Sequence, residues 1–169
     1  MTERSPVSGI DDCATGSICL WLDDQGIGEC VAMCGGTPDA PACDPGTECL
    51  VTAGGLLAVC LPPCDPLTTV CDAGSCIPGA FGGFACFPFL GPAAPLGGAC
   101  EHHSQCPAGS VCTGATASPS CIDDDCACTP WCDLDATSPE AVCDAGRACV
   151  PWFEPDRAPV GLGNLGYCA

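Results

Sequence analysis

One pattern, Cys-x-x-Gly-x(1 or 2)-Cys, occurs five times in this chain and leaves little room for anything but small cross-linked units. The copies run from Cys13 to Cys19 around Gly16, Cys43 to Cys49 around Gly46, Cys71 to Cys76 around Gly74, Cys106 to Cys112 around Gly109, and Cys143 to Cys149 around Gly146. The second copy brackets Asp-Pro-Gly, a β-turn composition in which proline sets φ and glycine tolerates φ > 0. Copies recurring about every 30 residues identify a tandem array. Each copy leads into a hairpin signal: Leu20 to Glu29, Leu50 to Val59 across Gly54-Gly55, Ile77 to Ala85 around Gly82-Gly83, Thr113 to Ser120, and Val150 to Tyr167.

Composition agrees with that reading. The 169 residues include 21 Cys, 22 Gly and 18 Pro, aromatic residues are only 5%, and no long helical period is visible. The expected fold is therefore small and disulfide-rich: a tandem array of short β-hairpin units with little or no helix and no single large core. Cross-links replace burial in such chains, each closed loop of about 15 residues contributing roughly 3 kcal/mol in the chain-entropy model. Disulfides at this density persist in an oxidising compartment, so the protein is expected to be exported and extracellular or at a cell surface. The first residues, MTERSPVSGIDDC, have no apolar h-region, so an export signal is expected to have been removed or left out. No transmembrane segment is expected, because every long apolar run is broken by Gly and Pro. With 21 acidic residues against three Arg and no Lys, the net charge is −18. That balance excludes nucleic acid as a partner, which would demand cationic side chains, and favours solubility. Heavy Ala, Gly, Pro and Asp usage without Lys would suit a GC-rich bacterial genome.

A repeat can be written as four cysteines: an entry cysteine, two flanking the Gly turn, and one closing the hairpin. The chain then divides into an N-terminal tail (1–12), an incomplete repeat (13–30), repeats at 34–60 and 64–86, an apolar Pro/Gly linker (87–99), a repeat with an acidic insertion (100–128), and a last repeat (132–168). Four cysteines permit three connectivities, and their spacing alone does not choose among them. The order and the turn glycine resemble the first four cysteines of EGF-like modules, over nearly the whole chain, although the third disulfide of that family has no equivalent here. The resemblance implies first-to-third and second-to-fourth bonding: Cys34 with Cys49, Cys43 with Cys60, Cys64 with Cys76, Cys71 with Cys86, Cys100 with Cys112, Cys106 with Cys128, Cys132 with Cys149 and Cys143 with Cys168. Adding Cys13 with Cys30 and Cys121 with Cys126 accounts for twenty cysteines. Cys19 stands outside this pairing, and the expectation is a bond to another chain or to a missing upstream partner.

Two stretches carry no charge, Cys49 to Cys64 and Ala73 to Cys100, and the second holds four of the five Phe. Units this small have almost no interior, so such runs either pack on an adjacent unit or remain exposed as contact surface. Ile77, Phe81, Phe84, Phe87, Phe89, Leu90 and Leu96 are the candidate interface.

Catalytic chemistry is harder to find. His102 and His103 are adjacent in a short loop between cysteines and read as surface residues, and no Gly-rich loop carries a Lys. Cys126-Ala-Cys128 followed by Cys132 could be a thiolate metal cluster, but the repeat of turns and hairpins argues for disulfides. Asp123, Asp124 and Asp125 are the candidate calcium ligands, with Asp11 and Asp12 a second acidic pair. No cofactor and no enzymatic activity are expected. The reading is a non-enzymatic extracellular structural protein, the repeat subunit of a fibre or surface assembly whose partners are other copies of itself. A secreted binding module, such as an adhesin segment, a receptor-like domain or a protease inhibitor acting on another surface protein, is the alternative.

Overall fold

The computed structural model describes residues 2–3, 12–21, 27–52, 57–72, 74–89, 92–114 and 126–169. They form strands joined by turns, with no α-helix among them and two short 3-10 turns, His103–Gln105 and Pro139–Val142. The contacts divide the chain into two compact units, Met1–Pro62 and Pro63–Ala169.

The described residues of the N-terminal unit form seven strands: β1 (Thr2–Glu3), β2 (Ser17–Leu20), β3 (Ile27–Ala32), β4 (Gly35–Thr37), β5 (Ala40–Ala42), β6 (Glu48–Thr52) and β7 (Leu57–Leu61). They make a three-stranded sheet in the order β1-β3-β2 and two hairpins, β4-β5 and β6-β7. The β4-β5 hairpin lies between Cys34 and Cys43, a stretch without alternating apolar residues. Its residues are mostly exposed, so no period marks it. Leu50, Val59, Leu61 and Val31 are buried, a modest apolar cluster in keeping with hairpins of this size.

The C-terminal unit holds β8 (Ser75–Pro78), β9 (Phe84–Phe87), β10 (Ser110–Gly114), β11 (Cys126–Asp133), β12 (Cys149–Pro151) and β13 (Leu165–Cys168). β8 and β9 form a hairpin, and the others a four-stranded sheet in the order β10-β11-β13-β12. Two expectations are corrected here. β10 pairs with β11, from Ser110 opposite Pro130 to Gly114 opposite Cys126, so its hairpin does not close within Thr113 to Ser120. The 87–99 stretch is not a free linker: Phe87 ends β9, Ala94 N–H donates to the Gln105 carbonyl, and Gly97 N–H donates to Cys128. Backbone groups of Ala94, Gly97 and Gly98 are thereby paired with the fourth repeat, while most of the described residues of the segment stay exposed.

The turn glycines do what their spacing requires. Gly16, Gly46, Gly109 and Gly146 all have positive φ, and in each turn the next residue's N–H donates to the carbonyl three residues back, as Thr47 does to Asp44 at 3.1 Å. Positive φ at the third turn position is the type II geometry. Gly74, in the copy shorter by one residue, has φ +109°, and a Cβ there would lie 1.9 Å from the Phe87 carbonyl oxygen.

One register recurs in the four-cysteine repeats. The residue before the entry cysteine pairs with the residue before the closing cysteine: Met33 with Val59, Pro63 with Ala85, Ala99 with Ala127, and Trp131 with Tyr167. The entry segment is thus a third strand laid along the hairpin's closing strand. In the first repeat that edge of β3 carries β1, with Thr2 opposite Gly28, two residues before the closing Cys30. Entry cysteines occupy that same register position elsewhere, as Cys132 does opposite Gly166, again two residues before a closing cysteine.

Candidate functional site

Sulfur positions follow from the register. Laying the entry strand against the closing strand brings the entry cysteine beside the hairpin, and the Gly turn folds the second cysteine back over it. Nine disulfides join described residues: Cys13–Cys30, Cys34–Cys49, Cys43–Cys60, Cys64–Cys76, Cys71–Cys86, Cys100–Cys112, Cys106–Cys128, Cys132–Cys149 and Cys143–Cys168. Every four-cysteine repeat bonds first to third and second to fourth. Cys126 is also disulfide-bonded, while Cys121 lies outside the described residues, as do Asp123, Asp124 and Asp125. Cys19, the third cysteine of the first repeat, stands outside these nine bridges and is 3% exposed on β2, opposite Cys30. A bond to another chain would require its sulfur to leave that burial.

The two bridges of each repeat lie close together. Three sulfurs fall within 4.8 Å of one another in each case: Cys34, Cys43 and Cys60; Cys64, Cys71 and Cys86; Cys100, Cys106 and Cys112; Cys132, Cys143 and Cys168. Such clusters have the spacing of metal thiolates, but every one of these sulfurs is already bonded to another sulfur. A metal ligand here must be a thiolate, which the oxidised repeats do not offer.

The candidate interface splits. Phe84 and Phe87, on β9, are buried, and so is Ile77 on β8, so these three are core and not contact surface. For Phe84 the reason is the packing of the third repeat on the fifth. Phe84 stands edge-on to Trp131 at 5.7 Å and to Phe153 at 6.4 Å, Trp131 meets Trp152 at 4.9 Å, and Trp152 meets Tyr167 at 5.7 Å. Val111 and Leu165 complete this small cluster. Edge-to-face pairs of this kind contribute beyond their buried area. Phe81, Phe89 and Leu96 remain outside, at 49%, 41% and 58% exposure, and Leu90 lies outside the described residues. Gly82, next to Phe81, sits where a Cβ would touch Pro159 and Phe153, and Val160 beside Pro159 is fully exposed. The sequence offered no signal for Val160, which lies in an aperiodic loop.

His103 corrects another expectation. His102 is exposed, but the Nδ1 of His103 is buried and has no hydrogen-bond partner. Burial, and secondarily the neighbouring His102, hold its pKa down to about 4. The 3-10 turn that carries it packs on β8 and β10, and Ser75 Oγ of β8 donates to the carbonyl of Cys106 at the end of that turn. Buried Thr113 and Thr129 share a hydroxyl hydrogen bond of 2.8 Å across β10 and β11. These polar contacts hold strands together and bring no nucleophile to a base.

No protein-family model, no curated protein and no solved structure matches this chain.

Proposed function

We propose that the chain is a non-enzymatic extracellular structural protein, a disulfide-rich repeat subunit that joins copies of itself into a fibre or surface assembly. The observation that carries the proposal is the exposure of Phe81, Phe89 and Leu96 within a stretch that has no charge, on a chain of net charge −18. Apolar side chains left outside in this way are a surface for association. The nine bridges support an oxidising, extracellular setting, and no helix among the described residues is long and apolar enough to cross a membrane. Bonding of first to third and second to fourth cysteines supports reading the repeats as truncated EGF-like modules. A heterologous contact whose rotation does not close extends such a subunit into a filament.

Light scattering and electron microscopy of the purified chain at increasing salt test this reading. Self-repulsion among like-charged copies acts over about 30 Å at 0.01 M salt and about 10 Å at 0.1 M, so polymers are expected to grow as salt rises. A monomer at every ionic strength would sink the proposal. That outcome favours the second reading, a secreted binding module such as an adhesin segment, receptor-like domain or protease inhibitor. Its support is the exposed loop between β12 and β13, where Glu154 to Arg157 and Val160 face solvent.

A further inference from the structure

Among the four-cysteine repeats, the second differs in how its cysteines meet solvent. Cys34, Cys43 and Cys60 are all partly exposed, whereas in the fourth repeat Cys100, Cys106 and Cys112 are all buried. Cys43 Sγ lies 3.8 Å from Cys34 Sγ, in van der Waals contact between two separate bridges. A thiolate released at Cys43 therefore starts beside the Cys34–Cys49 bond.

We propose that the second repeat is a site of thiol–disulfide exchange, in which its two bridges act as one relay for an external low-molecular-weight thiol. The incoming thiolate attacks the sulfur of Cys60, a partly exposed residue, and the Cys43–Cys60 bond breaks with its electron pair going to Cys43. Cys43 is then free to rotate about its own Cα–Cβ bond into line with the neighbouring bridge. It attacks Cys34 Sγ, a Cys34–Cys43 bond forms, and the Cys34–Cys49 bond breaks with Cys49 leaving as thiolate. Two S–S bonds break and two form, one negative charge enters and one remains, and no net oxidation occurs. The native bridge between the entry strand and the hairpin is lost, while the entry segment stays tied to the Gly turn.

Charge selects the co-reactant. Asp44 adjoins Cys43 and Glu48 adjoins Cys49 on a chain of net charge −18, so an anionic thiol such as glutathione is repelled and a cationic one is drawn in. Cysteamine is the probe that this chemistry fits.

The experiment exposes the intact protein to cysteamine at mildly alkaline pH, quenches it with acid at short times, and maps bonds by non-reducing peptide mass spectrometry. The expected early product carries cysteamine on Cys60, a Cys34–Cys43 bond and a Cys49 thiol, forming on the order of tenfold faster than with glutathione. Bridges of the fourth repeat are expected to remain native through that phase. Molecules with cysteamine on Cys60 and an intact Cys34–Cys49 bridge would overturn the relay. Equally fast opening of Cys100–Cys112 would overturn the assignment to the second repeat, and glutathione reacting as fast as cysteamine would overturn the charge selection.

Discussion

His103 is the residue whose environment most nearly opposes its chemistry. In the unfolded chain it takes a proton near its ordinary value of 6.5, and in the folded chain only near 4, because burial disfavours the imidazolium. Between those values the unfolded state binds more protons, so stability rises with pH across the window. The contribution is fully present above pH 6.5 and is lost as pH falls to about 4. A difference of that size corresponds to about 3 kcal/mol. His103→Gln is expected to flatten the dependence of the thermal midpoint on pH between 6.5 and 4, whereas the exposed neighbour changed as His102→Gln should leave most of it. An unchanged slope in the first variant would show that His103 is not the titrating group. Gly74 supplies a second test at this scale. Its positive φ is shared with Gly46, but at Gly74 a Cβ would meet the backbone of Phe87, while nothing lies within 4 Å at Gly46. Gly46→Ala should cost about 1 kcal/mol from φ alone and Gly74→Ala about 3 kcal/mol or more, read from denaturant midpoints. Equal losses would mean that the close approach to Phe87 carries no weight.

Among the elements, β12 shows how a short edge strand is kept from recruiting a neighbour. Ala148 and Ala169 exchange both backbone hydrogen bonds, and Trp152 N–H donates to Leu165, so alternation turns the backbone of Pro151 away from β13 toward the open edge. Proline there offers no N–H to an added strand. Pro151→Val should therefore raise aggregation of the folded protein while leaving the β12-β13 ladder intact, as followed by light scattering beside circular dichroism. Unchanged scattering would show that this edge is guarded by something else. The turns were legible in the sequence because Gly16, Gly46, Gly109 and Gly146 each meet a steric demand that few other residues satisfy. The entry strands were not legible. Met33, Pro63 and Ala99 make single bridges, and one pair gives a chain no period to read. The partner of β10 was hidden for a related reason, since its pairing spans the separation from Gly114 to Cys126 and no local turn signal announces it.

For the molecule as a whole, the question is which apolar side chains hold the fold and which remain for association. Composition could not divide them, because Phe81, Phe84, Phe87 and Phe89 share one charge-free stretch and the choice depends on repeats distant in sequence. Phe84 meets Trp131 and Phe153 across more than forty residues of chain, a contact that only the assembled C-terminal unit creates. Phe84→Ala removes the ring from that cluster and is expected to cost about 3 to 5 kcal/mol. The double variant Phe81→Ser with Leu96→Ser removes two side chains that are about half exposed and should change stability far less, by about 1 kcal/mol. Under the association proposed above, the same double variant should lose salt-induced polymerisation while remaining folded. Polymers that form undiminished with both exposed side chains replaced would move the contact to another part of the surface, and an unfolded double variant would show that these residues belong to the core after all.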